Sequence, residues 1–423
     1  MERKIIDELR KWKLDAYKRP LLLYGNSGCG KTYTVLDFGK HEYKNTVYFD
    51  CQENLELSYV IDKNTTTEKL IRGLSAISLE TIMQEDTLII FDNVTEKIIT
   101  AIKKQFTNGN YHIIMITNNN ELKKKHKAEG VNYKKMDLVS FPEYLKYVGK
   151  EQLIDFINDS FKNNKPMVFH SLALELYNDF VLTGGYPDAI VNFKENENYN
   201  LLSNIHDKNI KLMKYKLIGL DNLIDIKRGQ EVYDNISIQL LKDNIKFQYG
   251  NIKAGARSKE YEKSIDYMQN NNMIVKSTRV TALTSPLSKA KDEESFKLYY
   301  NDSGLLYKKM NVGSNRLVTN DKLLELLYEN NIVSTLSNNG FNIYHYHSGG
   351  KAFIDIVIQT RTGKIIPIEI LHGEDNAKSK SMTLSMKKYN LNLGIRFGGG
   401  DFKVKNNIRY IPYYAAFCIV ESL

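Results

Sequence analysis

Residues Gly25-Asn26-Ser27-Gly28-Cys29-Gly30-Lys31-Thr32 fit G-x-x-x-x-G-K-[ST], the pattern of a phosphate-binding P-loop. In such a loop the backbone N–H groups and the positive end of the following helix face a polyphosphate. Gly25, Gly28 and Gly30 let the backbone turn and approach without a Cβ in the way. Asn26, Ser27 and Cys29 complete the cradle. Lys31 is expected on the β- and γ-phosphates and the Thr32 hydroxyl on Mg²⁺, so the pattern implies ATP with magnesium.

Magnesium needs a second acidic group. Thr87-Leu88-Ile89-Ile90-Phe91-Asp92 is an apolar run ending in an acid, and Asp92 is the residue expected to hold the metal through water. Many ATPases of this broad class place Glu next. This chain has Asn93, whose amide takes no proton near neutral pH and is a poor general base. Glu53 and Glu96 are the substitutes weighed, each against a surface carboxylate. A third run, His112 to Thr117, ends in Asn118-Asn119-Asn120; Thr117 or Asn118 stands where a γ-phosphate sensor is expected, and an Asn-rich turn is the alternative.

These groups need a frame. Leu21-Leu22-Leu23-Tyr24 reads as a buried strand before the loop, and a helix follows with Val35 and Leu36 on its inner side. Thr46 to Asp50 reads as another strand, so from 20 to about 120 strands alternate with helices in a parallel α/β sheet. A helix over 2–16 precedes them, with Ile5, Ile6, Leu9 and Trp12 at helical spacing. From 140 to about 218 the pattern is helical, broken at Gly184-Gly185-Tyr186-Pro187. Residues 229–300 read as a winged helix: amphipathic helices at 231–241 and 258–269, and wing strands at 273–280 and 296–300. Arg257, Lys259 and Lys263 make the second helix a candidate DNA reader, but Glu260 and Glu262 are interleaved and favour a packing module.

The last segment, 301–423, is α/β again, with a helix at 321–337 and strands at 342–347, 352–359 and 364–371. Arg361-Thr362-Gly363 fits a three-residue hairpin loop with Gly in the left-handed position. That register sets Asp355 opposite Glu369, with Cβ atoms about 5 Å apart, a pair suited to a divalent metal.

At 423 residues, two or three domains are expected. The division read from the sequence is 1–165, a P-loop ATPase domain; 166–300, a helical and winged-helix region; and 301–423, a nuclease-like α/β domain. No apolar run reaches the ~20 residues that span a bilayer, and the charged N-terminus does not read as a signal peptide. Three cysteines without C-x-x-C spacing point to a reducing cytoplasm and away from structural zinc. Cys29 reads as a small filler, with oxidation that blocks the nucleotide as the alternative. The formal charge of +9 permits nucleic-acid binding without requiring it, and Lys123-Lys124-Lys125-His126-Lys127 reads as a solvated helix face. Abundant Lys, Asn, Tyr and Ile hint at an AT-rich prokaryotic genome.

With these pieces in order, the chain resembles prokaryotic AAA-type P-loop ATPases with a C-terminal restriction-endonuclease-like domain. The residues that carry the resemblance are the P-loop, Ile89 to Asp92, Ser140-Phe141-Pro142-Glu143-Tyr144 and Gly184 to Pro187. Tyr299 to Leu306, Glu329-Asn330, Ile354-Asp355 with Ile368-Glu369, and Ile411 to Ala416 complete the set. The resemblance implies a nuclease fold in which Asp355, Glu369 and the helix acid Glu329 would form the metal site. The lysine of that site is Leu371 here, which cannot orient water, so cleavage is not expected. An arginine usual before the Ser-Phe-x-Glu segment is absent from Ala128-Glu129-Gly130-Val131-Asn132; Arg257 is a candidate finger or a surface charge. Three functions follow: an ATP-dependent switch with slow hydrolysis acting on a protein client, a DNA-processing ATPase on duplex DNA, or a binding module with structural nucleotide.

Overall fold

The structure is a computed structural model describing residues 1–54, 56–62, 65–106, 109–122, 130–242, 246–311, 321–348, 352–371 and 380–422. The lysine run at 123–127 lies outside these residues. The chain divides into two compact units, Met1–Leu138 and Val139–Leu423.

In the first unit α1 (Ile5–Leu14) leads into β1 (Leu21–Gly25), α2 (Lys31–Glu42) and β2 (Asn45–Asp50). Helices α3 (Leu57–Val60) and α4 (Thr67–Ser78), β3 (Thr87–Asp92), α5 (Glu96–Gln105), β4 (His112–Thr117) and β5 (Asn132–Met136) follow. The strands form one parallel sheet in the order β2-β3-β4-β1-β5. Strands β1, β3 and β4 are buried along their whole length, as their unbroken apolar sequences require. Leu70 and Leu74 of α4, and Ile99 and Ile102 of α5, pack with Ile89, Phe91, Ile113 and Met115. On α2 the inner residues are Val35 and Phe38; Leu36, expected inside, is 38% exposed, because it follows Val35 by only one helical step.

Parallel strands place their C-terminal ends on one edge. The P-loop, Asp50, Asp92 and Asn118 all leave the sheet there. Close approach fixes two glycines of the loop. A Cβ on Gly25 would stand 2.1 Å from the carbonyl oxygen of Met136 on β5, and Gly30 enters α2 in the left-handed region at φ 93°. Arg3, 5% exposed, braces the same loop: its guanidinium donates to the carbonyls of Cys29 and Asp137, each at 2.7 Å.

The second unit holds a sheet of eight strands among the described residues. They are β6 (Ile274–Val280), β7 (Lys291–Tyr300), β8 (Tyr344–His347), β9 (Phe353–Gln359), β10 (Ile365–Ile370), β11 (Gly394–Gly398), β12 (Lys403–Lys405) and β13 (Ile408–Pro412). The order is β12-β13-β11-β10-β9-β8-β6-β7. The expected wing strands are therefore corrected: β6 and β7 pair antiparallel, but β6 also pairs parallel with β8, and the sheet runs across the expected boundary at 300. The six consecutive buried residues Ser295 to Tyr300 explain why β7 does not stand as a solvated wing.

Sequence blocks that carried the resemblance beyond residue 139 help hold this unit together. Asp302 caps the helix Ser303–Met310 by accepting from the N–H of Leu305 at 3.0 Å, and it accepts from the N–H of Gly185 at 2.7 Å. Gly184 turns at φ 67°, where a Cβ would strike the Asp302 carboxylate. Gly304 faces the His206 ring, whose Nε2 donates to the carbonyl of Leu182 at 3.0 Å. Ser140 and Glu143 form a capping box, the carboxylate accepting from the Ser140 N–H at 2.9 Å. Tyr413 stacks on Tyr328 with ring centroids 4.3 Å apart.

Two outcomes follow. Arg3→Met removes two charge-assisted hydrogen bonds in a buried place, and denaturant unfolding should show the first unit destabilised by about 2–4 kcal/mol; an unchanged midpoint would remove Arg3 as the brace. Burial pushes the His206 imidazole down to about 4, so the unfolded chain takes up a proton that the folded chain refuses. That contribution is present above the ordinary histidine range and is lost as the pH falls from about 6.5 to 4, by up to about 3 kcal/mol. Asp302, pushed up to about 6 by burial, acts with the opposite sign in the same window, so the comparison must be between proteins. Relative to the parent, His206→Gln should gain stability as the pH is lowered from 7 to 4.5; a constant difference would contradict this.

Candidate functional site

Lys31 is 5% exposed, and its ammonium needs oxygen on every open side. It donates to the carbonyls of Gly25 at 3.1 Å and Asn26 at 2.8 Å, and to Oδ1 of Asn118 at 2.7 Å. The loop, the lysine and the tip of β4 are thus joined by one cation. Asn118 reaches Lys31, while the Thr117 hydroxyl accepts from the N–H of Asn119 at 3.1 Å and ties the turn. The Cys29 thiol is fully buried and donates toward the Met136 carbonyl at 3.5 Å, which matches a packed filler.

Thr32, in the first turn of α2, donates its hydroxyl to Oδ2 of Asp92, which also accepts from the Tyr48 hydroxyl at 3.2 Å. The Asp92 Oδ1 accepts from the N–H of Asn93 at 2.7 Å. Burial, with Asp92 and Asp50 near, holds the Tyr48 phenol well above its ordinary range. Burial and the same two carboxylates push the Cys51 thiol up to about 12. A hydroxyl and a carboxylate in contact are the hard oxygen donors that suit magnesium. Thr32 and Asp92 therefore fit the ion, and Ser27, Gly28 and Gly30 lie in the loop that precedes Thr32.

Asn93 stands in the left-handed region at φ 54°, and its amide donates to Oδ2 of Asp50 at 2.9 Å. Asp50 was not singled out from the sequence. It ends the strand that was recognised, but only the β2–β3 pairing reveals its neighbour. Glu53 lies exposed in the turn after β2, and Glu96 is exposed at the start of α5.

In the second unit the hairpin is as expected: Gly363 is left-handed at φ 85°, and Ile368 pairs with Ile356, which sets Glu369 against Asp355. The metal suited to that pair is not supported. Glu369 accepts from Nε of the buried Arg396 at 2.9 Å, and Glu329 accepts from the Tyr299 hydroxyl at 2.6 Å. A guanidinium already neutralises the carboxylate that an ion would need. Among the described residues no cluster of three or more His, Cys, Asp or Glu is placed to hold a metal. Burial, then Glu329 and Glu369, pushes the Asp355 carboxyl up to about 7, against the Ile370 N–H and Lys297. A cleft of about 540 Å³ beside Arg396 carries mixed charge from Glu325, Asp401 and Lys403.

The basic helix Ser258–Asn270 is similarly tied. Lys263 binds Asp221 at 2.8 Å and Asp225 at 3.4 Å, and Arg228 binds Glu260 at 3.0 Å. Arg257 is exposed at the N-cap, and its N–H donates to Glu260. No helix among the described residues is long and apolar enough to cross a membrane.

Residues 17–145 match the family described as an AAA domain, and residues 174–316 match a domain of unknown function, DUF8612. No curated protein matches the chain. Among solved structures, a Walker-type ATPase of Pyrococcus abyssi, PABY2304, is 12% identical, with 73% of this chain and 95% of that chain covered at a TM-score of 0.42. The RuvB Holliday junction branch migration motor of Thermotoga maritima is 11% identical over 68% of this chain and 91% of its own, at a TM-score of 0.31. The Aeropyrum pernix ORC1 protein, in complex with DNA, is 11% identical over 75% and 94%, at a TM-score of 0.31. At these TM-scores the structural likenesses carry no argument about this chain. The family match and the loop geometry together make the first unit an AAA-type P-loop nucleotide-binding domain.

Proposed function

We propose that this protein is an ATP-dependent switch: the first unit binds ATP with magnesium and hydrolyses it slowly, and the second unit carries the response to a protein client. The observation that carries the reading is the Lys31 ammonium, held at the mouth of the loop by Gly25, Asn26 and Asn118. Backbone carbonyls are weak partners for an ammonium beside a triphosphate, so the lysine can exchange them for phosphate oxygens at little cost. Loop amides at the start of α2 add the helix dipole to the same anion. Thr32 and Asp92 would hold magnesium, which supplies charge neutralisation to the phosphates. Asn118 keeps contact with the lysine and so senses whether a γ-phosphate has taken it.

A switch is favoured over a DNA-processing enzyme by the second unit. Lys263 of its basic helix is paired with Asp221 and Asp225, and Glu369 of its carboxylate pair is bound by Arg396. The charge balance of +9 leaves a duplex a candidate partner for other surfaces, and turnover with duplex DNA decides that point. A reducing, cytoplasmic setting fits three cysteines that form no disulfide with one another.

Calorimetric titration of ATP·Mg²⁺ into the full chain and into Lys31→Ala tests the reading. The substitution should lower affinity at least ~10-fold and abolish turnover. Equal affinity in the two proteins would contradict it. Turnover of the parent is expected to be below about 1 s⁻¹, slow against common enzymes, and unchanged by duplex DNA. Stimulation by duplex would restore the DNA-processing alternative.

A further inference from the structure

Asp50 closes β2, Asp92 closes β3, and the two are register partners on adjacent parallel strands. Both carboxylates therefore stand on the edge that carries the P-loop. Asp92 is fully engaged, with Oδ1 on the Asn93 N–H and Oδ2 on the hydroxyls of Thr32 and Tyr48. Asn93 cannot take a proton near neutral pH. Asp50 is a carboxylate, and it is held: Oδ1 accepts from the N–H of Gln52 at 2.8 Å, and Oδ2 accepts from the Asn93 amide at 2.9 Å.

The backbone supplies an independent sign. Asn93 adopts φ 54°, a conformation costing ~1–2 kcal/mol for residues other than glycine and tolerated best by Asn and Asp. Strain of this kind persists where the surroundings over-determine it, and it gathers at functional sites. Here it directs the amide across to β2. Glu53 and Glu96, the substitutes considered from the sequence, are exposed.

We infer that Asp50 is the general base of ATP hydrolysis and that Asn93 is its positioning residue, an acid–amide pair with the acid on β2 and the amide on β3. The inference rests on the ATP reading above. In the step, the oxygen of a water attacks the γ-phosphorus while the bond from that phosphorus to the β–γ bridging oxygen breaks. The bond's electron pair leaves with ADP. The water proton passes to the Asp50 carboxylate and then to inorganic phosphate or solvent, so ATP and water become ADP and phosphate with nothing else consumed. Asn93 fixes one carboxylate oxygen so that the other lone pairs face the site, and its second amide proton can meet the same water.

Steady-state turnover, its pH profile and equilibrium ATP binding of the full chain test this on four variants. Asp50→Asn should bind ATP within about 3-fold of the parent, while turnover falls ~10²–10⁴-fold and the rising acid limb of the pH profile disappears. The exchange Asp50→Asn with Asn93→Asp, which returns a carboxylate to the pair, should recover at least about 10-fold over Asp50→Asn alone. Asn93→Ala should lower kcat about 10-fold with KM unchanged, the mark of positioning rather than of nucleotide grip. If Asp50→Asn loses ATP binding, Asp50→Glu decides: retained turnover supports a carboxylate requirement, and lost turnover overturns it. Turnover within about 3-fold in Asp50→Asn overturns the inference. So does a parent protein that binds ATP without turnover, and in both cases the ATP-binding reading stands. A parent that binds no ATP removes that reading and this one together.

Discussion

A buried ammonium must be surrounded by oxygen, and that constraint organises the first unit. Lys31 meets it with two carbonyls of its own loop and the side chain of Asn118 at the tip of β4, the strand between β1 and the acid strand β3. Those oxygens are in place only if β1, β3 and β4 end level, and the levelling comes from apolar strands sandwiched by helices. The loop itself is pressed against β5 so closely that Gly25 has no room for a Cβ. Arg3 then locks the loop from the side, linking chain positions 3, 29 and 137. The loop amides and the N-terminal end of α2 present positive dipoles of the kind that suit a phosphate.

The second unit answers the same physical problem differently. Several of its buried charges are paired inside the fold: Arg396 with Glu369 and Tyr410, Asp302 with the backbone of residues 185 and 305, Glu329 with Tyr299. Breaking one member of such a set leaves the other buried and unpaired, which is costly. These motif residues are therefore engaged in holding the fold. Catalytic appearance in the carboxylate pair, read from hairpin register alone, gives way once the guanidinium on the neighbouring strand is counted.

What the sequence made legible was local. The P-loop, the strand ending at Asp92 and the tip at Asn118 are short patterns whose meaning lies in consecutive residues. The hairpin around Gly363 was legible because turn length fixes register. What was hidden was pairing between distant segments. Strand β5, Asn132–Met136, is polar and lies at the sheet edge, so no apolar run announces it. Arg3 looks like any basic residue near a terminus until it is placed beside Cys29. The strands at 273–280 and 296–300 were visible as strands, but the parallel neighbour of β6, β8, lies more than 60 residues from it in the chain, and only the sheet reveals it. Asp50 belongs here too, since its bond to Asn93 spans 43 residues.

Hydrogen–deuterium exchange of the full chain, with and without ATP·Mg²⁺, tests the central claim most directly, because it reads the loop amides themselves. The account predicts slowed exchange at residues 25–32 and around 92–93 and 117–118, accompanied by altered exchange within residues 139–423. Unchanged exchange at 25–32 under saturating nucleotide would contradict the claim that this loop cradles a triphosphate, and protection confined to the first unit would contradict the switch.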